Sequence, residues 1–332
     1  MAGPSVTGMY TILMDETRAT EAKVGFYGLD LYSLYTSIDA MLVYLDKVDP
    51  EGAKRARYRY SCFDQYGEDT QAYGYAASFG LAHSCEDEVV GQLLELRRRA
   101  TEYAGRDGRV AADEFFFAEQ NARLIKSAEE YYRSMFHERD SSWNLRDRHM
   151  ADTLEHLIAF LTGKGPRAKI VVWEHNSHVG DARATEMGQQ GEITVGQLVR
   201  ERYKNEAVLI GFSTYTGTVT AASNWGASAE RKRVRPALPD SYELLFHDTG
   251  LKRFFLNLRD EILNDWREQR LERAIGVVYR PETERVSHYF HADLRAQFDG
   301  LLYFDETRAV EPLDFYSWRD EHEPPETFPT GI

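Results

Sequence analysis

The feature that most constrains this 332-residue chain is a change of texture near residue 165. Before it, apolar residues recur at helical spacing with little interruption. Leu31, Leu34, Ile38, Met41, Leu42 and Leu45 form one stripe, and Pro50 stops the pattern soon after. The same periodicity runs through 53–66, 87–103, 113–136 and 145–161, the last with Met150, Leu154, Leu157 and Leu161 on one face. Asn144 stands where an N-cap for that last helix belongs, and Gly163 and Pro166 punctuate its far end. After the change, Lys169–Trp173 (KIVVW) is an apolar, β-branched run too short for a helix, and it reads as a buried strand. A helix over 194–203 follows, with short strands at 207–212, 218–221, 253–256, 274–278 and 301–304 and a helical stretch at 258–266. Upstream, 24–29 reads as one more strand, delivering Asp30 into a loop.

Strands alternating with helices predict an α/β fold, a mainly parallel sheet flanked by helices and carrying a large helical insertion. The expected division is a discontinuous α/β core over 1–30 and 165–318, the insertion over 31–164, and a flexible, proline-bearing tail over 319–332. The insertion is expected over the carboxyl ends of the strands, where open α/β sheets place their sites. A hydrophobic content of 42% is enough for a substantial core, while a formal charge of −14 repels nucleic acid and anionic membranes. The first residues lack a basic start followed by an apolar run, and no apolar window reaches bilayer length, so neither export by that route nor a membrane span is expected. Cys62 and Cys85 are the only cysteines; they permit one bridge without implying it, and the expected compartment is the reducing cytoplasm.

The best site candidate is Glu174-His175-Asn176-Ser177-His178, because it brings two imidazoles to the end of the expected KIVVW strand. Histidine titrates near neutrality and can activate water or protonate a leaving group. Spacing alone is weak support, since two polar loop residues give the same pattern. A zinc site needs a third ligand and usually a helical HExxH, which this segment lacks, so the metal-free reading ranks above it and no cofactor is expected. Glu174 directly precedes His175, and strand alternation turns the two side chains to opposite faces. In Arg146-Asp147-Arg148-His149, Arg146 could hold a carboxylate or oxyanion through its planar fork. The plainer reading is a charged first helical turn, preferred for Arg148 and His149, with Asp147 favoured by the helix dipole. The basic run 230–235 (ERKRVR) reads first as a solvated loop, with an anion-binding role as the second reading. The GxSxG elbow, the GxxxxGK[ST] loop and the Gly-rich dinucleotide fingerprint are all absent, which removes the usual support for serine-hydrolase, nucleotide-hydrolase and dehydrogenase readings.

Several blocks in order resemble the erythromycin esterase family: VGFYGLDLYSLYTSIDAMLVYLDKVDP at 24–50, FFFAEQNARLIKSAEEYYRSMF at 115–136, WNLRDRHM at 143–150, KIVVWEHNSHVGDARATEM at 169–187, GFSTYTGTVTAA at 211–222 and AIGVVYRPETERVSHYFHADLRAQFDGLLYFDETRAVEPL at 274–313. The resemblance covers about 24–318. It implies an α/β enzyme with a helical insertion that hydrolyses a carboxylic ester without a metal, in the best-known members the lactone of a macrolide antibiotic. By the same resemblance His175 and His178 line the cleft as catalytic residues and Arg146 and Asp30 contact a small-molecule ester, and Glu174, beside His175, is expected to contact that ester with them. Two departures stand out. The family's Gly-Glu-x-x-His-Gly segment, whose His is thought to activate the water, has no counterpart in 1–23, and Glu174 stands where a small residue is usual. The alternative expectation is therefore a catalytically silent binding protein or one that needs a separate N-terminal half. An uncovered strand edge would then favour a homo-oligomer or a complementing N-terminal fragment.

Overall fold

A computed structural model describes residues 25–67, 69–104, 109–136, 139–163, 168–224, 227–263 and 269–310. The helical block is realised as α1 (Leu34–Val48), α2 (Pro50–Tyr60), α3 (Thr70–Ser78), α4 (Glu86–Arg98), α5 (Ala100–Ala104), α6 (Arg109–Ser134) and α7 (Arg139–Thr162). Its core is the predicted stripe of α1, with Leu34, Ile38, Met41 and Leu45 buried against Ala118, Ala122, Ile125 and Tyr132 of α6. Leu31 is buried in the same cluster, so the stretch before α1 packs with the helices. Val24 lies outside the described residues, and 25–30 forms no strand. The expected tail over 319–332 also lies outside them.

Cys62 and Cys85 are joined as a disulfide that ties the end of the first helical pair to the start of α4. The expectation of a reducing compartment rested on cysteine scarcity alone, and the bridge gives it no support. Closing a loop with a sequence separation of 23 restricts the unfolded chain, so reduction should lower unfolding stability by about 2–4 kcal/mol in denaturant titrations with and without dithiothreitol.

The second half adds α8 (Asn176–Val179), α9 (Glu186–Gln189), α10 (Val195–Tyr203) and α11 (Tyr242–His247). Its sheet has the order β2-β1-β6-β3, made of β1 (Ile210–Ala221), β2 (Glu230–Val234), β3 (Arg253–Asn257) and β6 (Gly300–Thr307). A separate hairpin pairs β4 (Arg270–Arg273) with β5 (Tyr289–Ala292). The fold class is α/β, but the four-stranded sheet is mixed. Only β1 and β6 run parallel, while β2 and β3 join antiparallel.

Expected strands 207–212 and 218–221 are one strand, continuous through Gly217. That residue sits at φ +127, with the Thr307 backbone so close that a Cβ would lie 2.1 Å from its carbonyl oxygen. The basic run read as a loop is mostly edge strand β2, and exposed charge is what a solvated edge carries. The strand expected at 274–278 is displaced: β4 ends at Arg273, and beyond it only Val278 makes a bridge, to Ala222. Of the helix expected over 258–266, the described part, 258–263, holds only a short 3-10 turn, Glu261–Leu263, and 264–266 lie outside the described residues.

One face of the sheet carries Leu209, Leu301 and Tyr303, which pack with Tyr242 and Phe246 of α11 and with Phe298. On the opposite face Ile210, Phe212, Phe255 and Phe304 are exposed. The KIVVW run shares this exposure. It pairs with no strand, and Val171 and Trp173 are 90% and 64% exposed. Its apolar pattern suits a buried strand, and the described residues place no strand or helix over it.

Candidate active site

Chain geometry around α8 builds the site. His175 is the N-cap: its Nδ1 accepts from the Ser177 backbone N–H at 3.2 Å. Its other nitrogen lies 2.8 Å from the Ile275 carbonyl, which can only accept, so Nε2 carries the proton. Both ring nitrogens of His175 are thus committed to holding the turn. Asn176 pins α8 to the edge of β1, donating to the Phe212 carbonyl at 2.6 Å and accepting from the Phe212 N–H at 3.0 Å. These two bonds stand in for a neighbouring strand.

α8 also rests on α10 at a crossing that leaves no room for a side chain. A Cβ on Gly196 would lie 1.9 Å from the Val179 carbonyl oxygen. Gly196→Ala should therefore cost about 1–3 kcal/mol through forced backbone separation. Thermal unfolding of the variant measures this; an unchanged midpoint would mean that α8 and α10 can part freely.

One turn beyond His175, His178 is buried, and its Nδ1 donates to the Asp147 carboxylate, 2.9 Å from Oδ2 and 3.0 Å from Oδ1. Asp147, with 0% exposure, also accepts from the Val195 N–H at 2.9 Å. Trp143 lies flat on the His178 ring at 4.4 Å and is itself held by a bond from Nε1 to the Ile193 carbonyl at 2.9 Å. The imidazole is therefore fixed in tautomer, tilt and rotation, with Nε2 left for chemistry.

α7 begins at Arg139, so Asp147 is not a first-turn acid placed by the helix dipole but a mid-helix residue facing inward. Asn144 is likewise internal rather than an N-cap. Its side chain clamps the loop that returns to α10, donating to the Gly191 carbonyl at 2.9 Å and accepting from the Ile193 N–H at 2.8 Å.

Arg146 binds Asp30 with its fork, Nε to Oδ1 at 3.0 Å and Nη2 to Oδ2 at 2.5 Å, and its guanidinium stacks on Tyr32 at 4.6 Å. Burial alone would raise the Asp30 carboxyl, but Arg146 overrides it and holds the group below the ordinary carboxylate range. The pair is an internal clamp between the stretch before α1 and α7. His149, two residues beyond Asp147, is buried and pushed down to about 4 by desolvation.

The charges of His178, Asp147, Asp30 and Arg146 all act on the Glu174 carboxyl. Burial raises that carboxyl to about 7; His178 opposes the shift and Asp147 reinforces it. Neither carboxyl oxygen has a hydrogen-bond partner. Glu174 also lines a cavity of about 1420 Å³ that continues along His175, Asn176 and Ser177 to Phe212, Ile275 and Gln297. Of the five expected site residues, the structure brings Asp30, Arg146, Glu174 and His178 together, while His175 lines the same cavity as Glu174 with its ring nitrogens bonded within the turn and to Ile275. Asp147 and Trp143 join the site without having been singled out. Among the described residues no group of three or more His, Cys, Asp or Glu is placed to hold a metal ion, and no helix is long and apolar enough to cross a membrane.

The model of the erythromycin esterase family matches residues 14–307. YbfO of Bacillus subtilis (strain 168), which is named a hydrolase, is 23% identical over 173 residues, half of this chain and 35% of that protein. Among solved structures, a succinoglycan biosynthesis protein is similar with a TM-score of 0.65 at 19% identity, over 88% of this chain and 67% of that one. A mutant of the erythromycin esterase EreC, in its open conformation, is similar with a TM-score of 0.59 at 16% identity, over 83% and 67%.

Proposed function

The chain belongs to the erythromycin esterase family, and from that premise we propose that it hydrolyses a carboxylic ester or macrolactone, with Glu174 as the acid–base group at the cavity wall. The observation that carries this reading is an unpartnered carboxyl, raised to about 7, set in a cavity wall on the side of an Asp147-oriented imidazole. A general acid–base works best when its proton affinity matches the working pH.

In this reading the Glu174 carboxylate takes a proton from a water as the water oxygen attacks the ester carbonyl carbon. The tetrahedral centre then collapses, the acyl–oxygen bond breaks, and the leaving alkoxide takes the proton back from Glu174. The products are an acid and an alcohol. His178, held by Asp147, positions and electrostatically tunes Glu174. His175 and Asn176 keep the turn in place, and the Arg146–Asp30 clamp sets the wall behind it.

Hydrolysis of a panel of small esters and a macrolide by the purified chain, beside Glu174→Gln, tests the reading. Turnover that Glu174→Gln leaves intact would sink it. A second reading is favoured by the exposed face of Ile210, Phe212 and Phe304 and the exposed Trp173. There the chain binds its ligand without turnover until another α/β segment, in a second copy or a complementing fragment, covers that face. Turnover by the monomeric chain alone would dispose of it.

A further inference from the structure

The basic run 230–235 has no part in the chemistry proposed for the cavity. Its strand, β2, is a sheet edge paired with β1 on one side only. The Val234 side chain is buried in a cluster with Tyr279 and Ala221, and the Val234 carbonyl faces β1, where the Thr216 hydroxyl donates to it at 2.9 Å. Alternation along the strand then fixes the neighbours. Arg231 and Arg233 are out of phase with Val234, so their backbone N–H and C=O turn away from β1 and their exposed side chains share the face opposite Val234. Arg235 has the same phase, but its outward groups are taken: its N–H donates to the Tyr279 hydroxyl at 3.3 Å and its C=O accepts from Arg273 Nη1 at 2.8 Å. Among the described residues, none takes the outward groups of Arg231 and Arg233.

The two guanidinia also stand apart in their charge. Acidic residues outnumber basic ones by 54 to 40 in this sequence, and arginines elsewhere find them: Arg97 pairs with Glu119, Arg200 with Asp299 and Arg202 with Asp152. The one acid on β2, Glu230, pairs with Lys232 instead, and among the described residues Arg231 and Arg233 form no ion pair. Across the ladder they face Thr220 and Thr218, which are neutral and bonded to Val310 and Ala309. Carboxylates for this row must therefore come from the open side of the strand. An extended chain places alternate side chains about 7 Å apart on one face, the same spacing as Arg231 and Arg233. Opposite charges facing each other across a ladder stabilise it and like charges oppose it, so the row that keeps a basic edge off β2 admits an acidic one. A nucleic acid fits less well, because its phosphates only accept and leave the outward carbonyls of Arg231 and Arg233 unserved.

We propose that β2 takes an extended acidic segment of a partner protein as an added strand, its backbone paired with Arg231 and Arg233 and its alternate carboxylates seated on their guanidinia. Main-chain bonds supply the affinity and the two ion pairs the selectivity. Thr218 and Thr220, on the same face of the neighbouring strand, line one end of the cavity, so the docked segment runs past that end. The proposal is independent of the hydrolase reading.

The test is fluorescence anisotropy of the intact chain with a labelled octapeptide of alternating Glu and Thr. It should bind at least about fivefold more tightly than the matched peptide of alternating Gln and Thr. N-methylation of each Glu keeps the charge and removes the N–H that faces Arg231 or Arg233, and it should abolish binding. The double variant Arg231→Glu, Arg233→Glu should lose the Glu peptide and gain its counterpart of alternating Lys and Thr, an exchange that a misfolded chain would not show. Equal binding of the methylated peptide would reduce the site to bulk charge and overturn the added strand. Unchanged binding of the Glu peptide by the double variant, or no binding by the parent, would overturn it as well. Tighter binding of a labelled oligothymidylate than of the Glu peptide would assign the row to nucleic acid and overturn the proposal too.

Discussion

Replacing Asp147 by Asn should lower ester turnover by at least about 10²-fold while leaving substrate affinity nearly unchanged. The reason is local and geometric. Asp147 is the acceptor that fixes the proton of His178 on Nδ1, and an amide in its place offers an N–H on one side and so permits the opposite tautomer. His178 then carries its proton on Nε2 instead of Nδ1, and the imidazole that tunes Glu174 is held in the wrong protonation pattern. Asp147→Ala should be worse for the fold, because the His178 Nδ1–H and the Val195 N–H both lose their acceptor in a fully buried place. Breaking such a pair costs about 3–5 kcal/mol. Urea unfolding and steady-state kinetics on both variants separate the two effects. If Asp147→Asn turns over ester at the parent rate, His178 has no part in the chemistry.

How much of this was legible in the sequence depends on which force set each feature. The helical stripes of α1 and α6 were readable because burial there follows a period that one chain segment displays by itself. The HNSH turn was readable as a site candidate for a similar reason, since two imidazoles so close together are local information. Asp147 was not. It lies 31 residues from its partner, and its charged neighbours on both sides made it look like ordinary helix-start chemistry. The misplaced helix start mattered, because a residue in a first turn is expected to face water. Its inward direction came only with the eight helical residues that precede it.

KIVVW shows the opposite failure. Apolar, β-branched composition encodes a preference for burial between neighbours, not the neighbours themselves. The preference is strong and the described residues leave Val171 and Trp173 in the open. The same face exposes Phe212, whose backbone is satisfied by the Asn176 side chain rather than by a strand. Side-chain capping of a strand edge has no sequence period, so a residue such as Asn176 gives no sign of its role until the turn is built.

The last expected result concerns Glu174→Gln, which should raise stability and remove activity together. A carboxyl raised from 4.5 to about 7 keeps its proton in the folded chain over a range where the unfolded chain has released it. Fewer protons on the unfolded state mean that stability falls as pH rises through that window, by about 3 kcal/mol in all, and levels off above about pH 7. Glutamine cannot ionise, so the variant should match the parent near pH 4 and exceed it by about 2–3 kcal/mol at pH 8. The parent's turnover should rise with pH through about 7, as the carboxylate becomes available to take a proton from water, and the variant's residual turnover should show no such step. Denaturant unfolding at both pH values, with pH–rate profiles, reads both effects. A group kept only for packing would show neither the crossover in stability nor the lost kinetic step. A group kept for chemistry at the expense of stability should show both, since the burial that penalises the charged form is also what brings the proton affinity to the working pH.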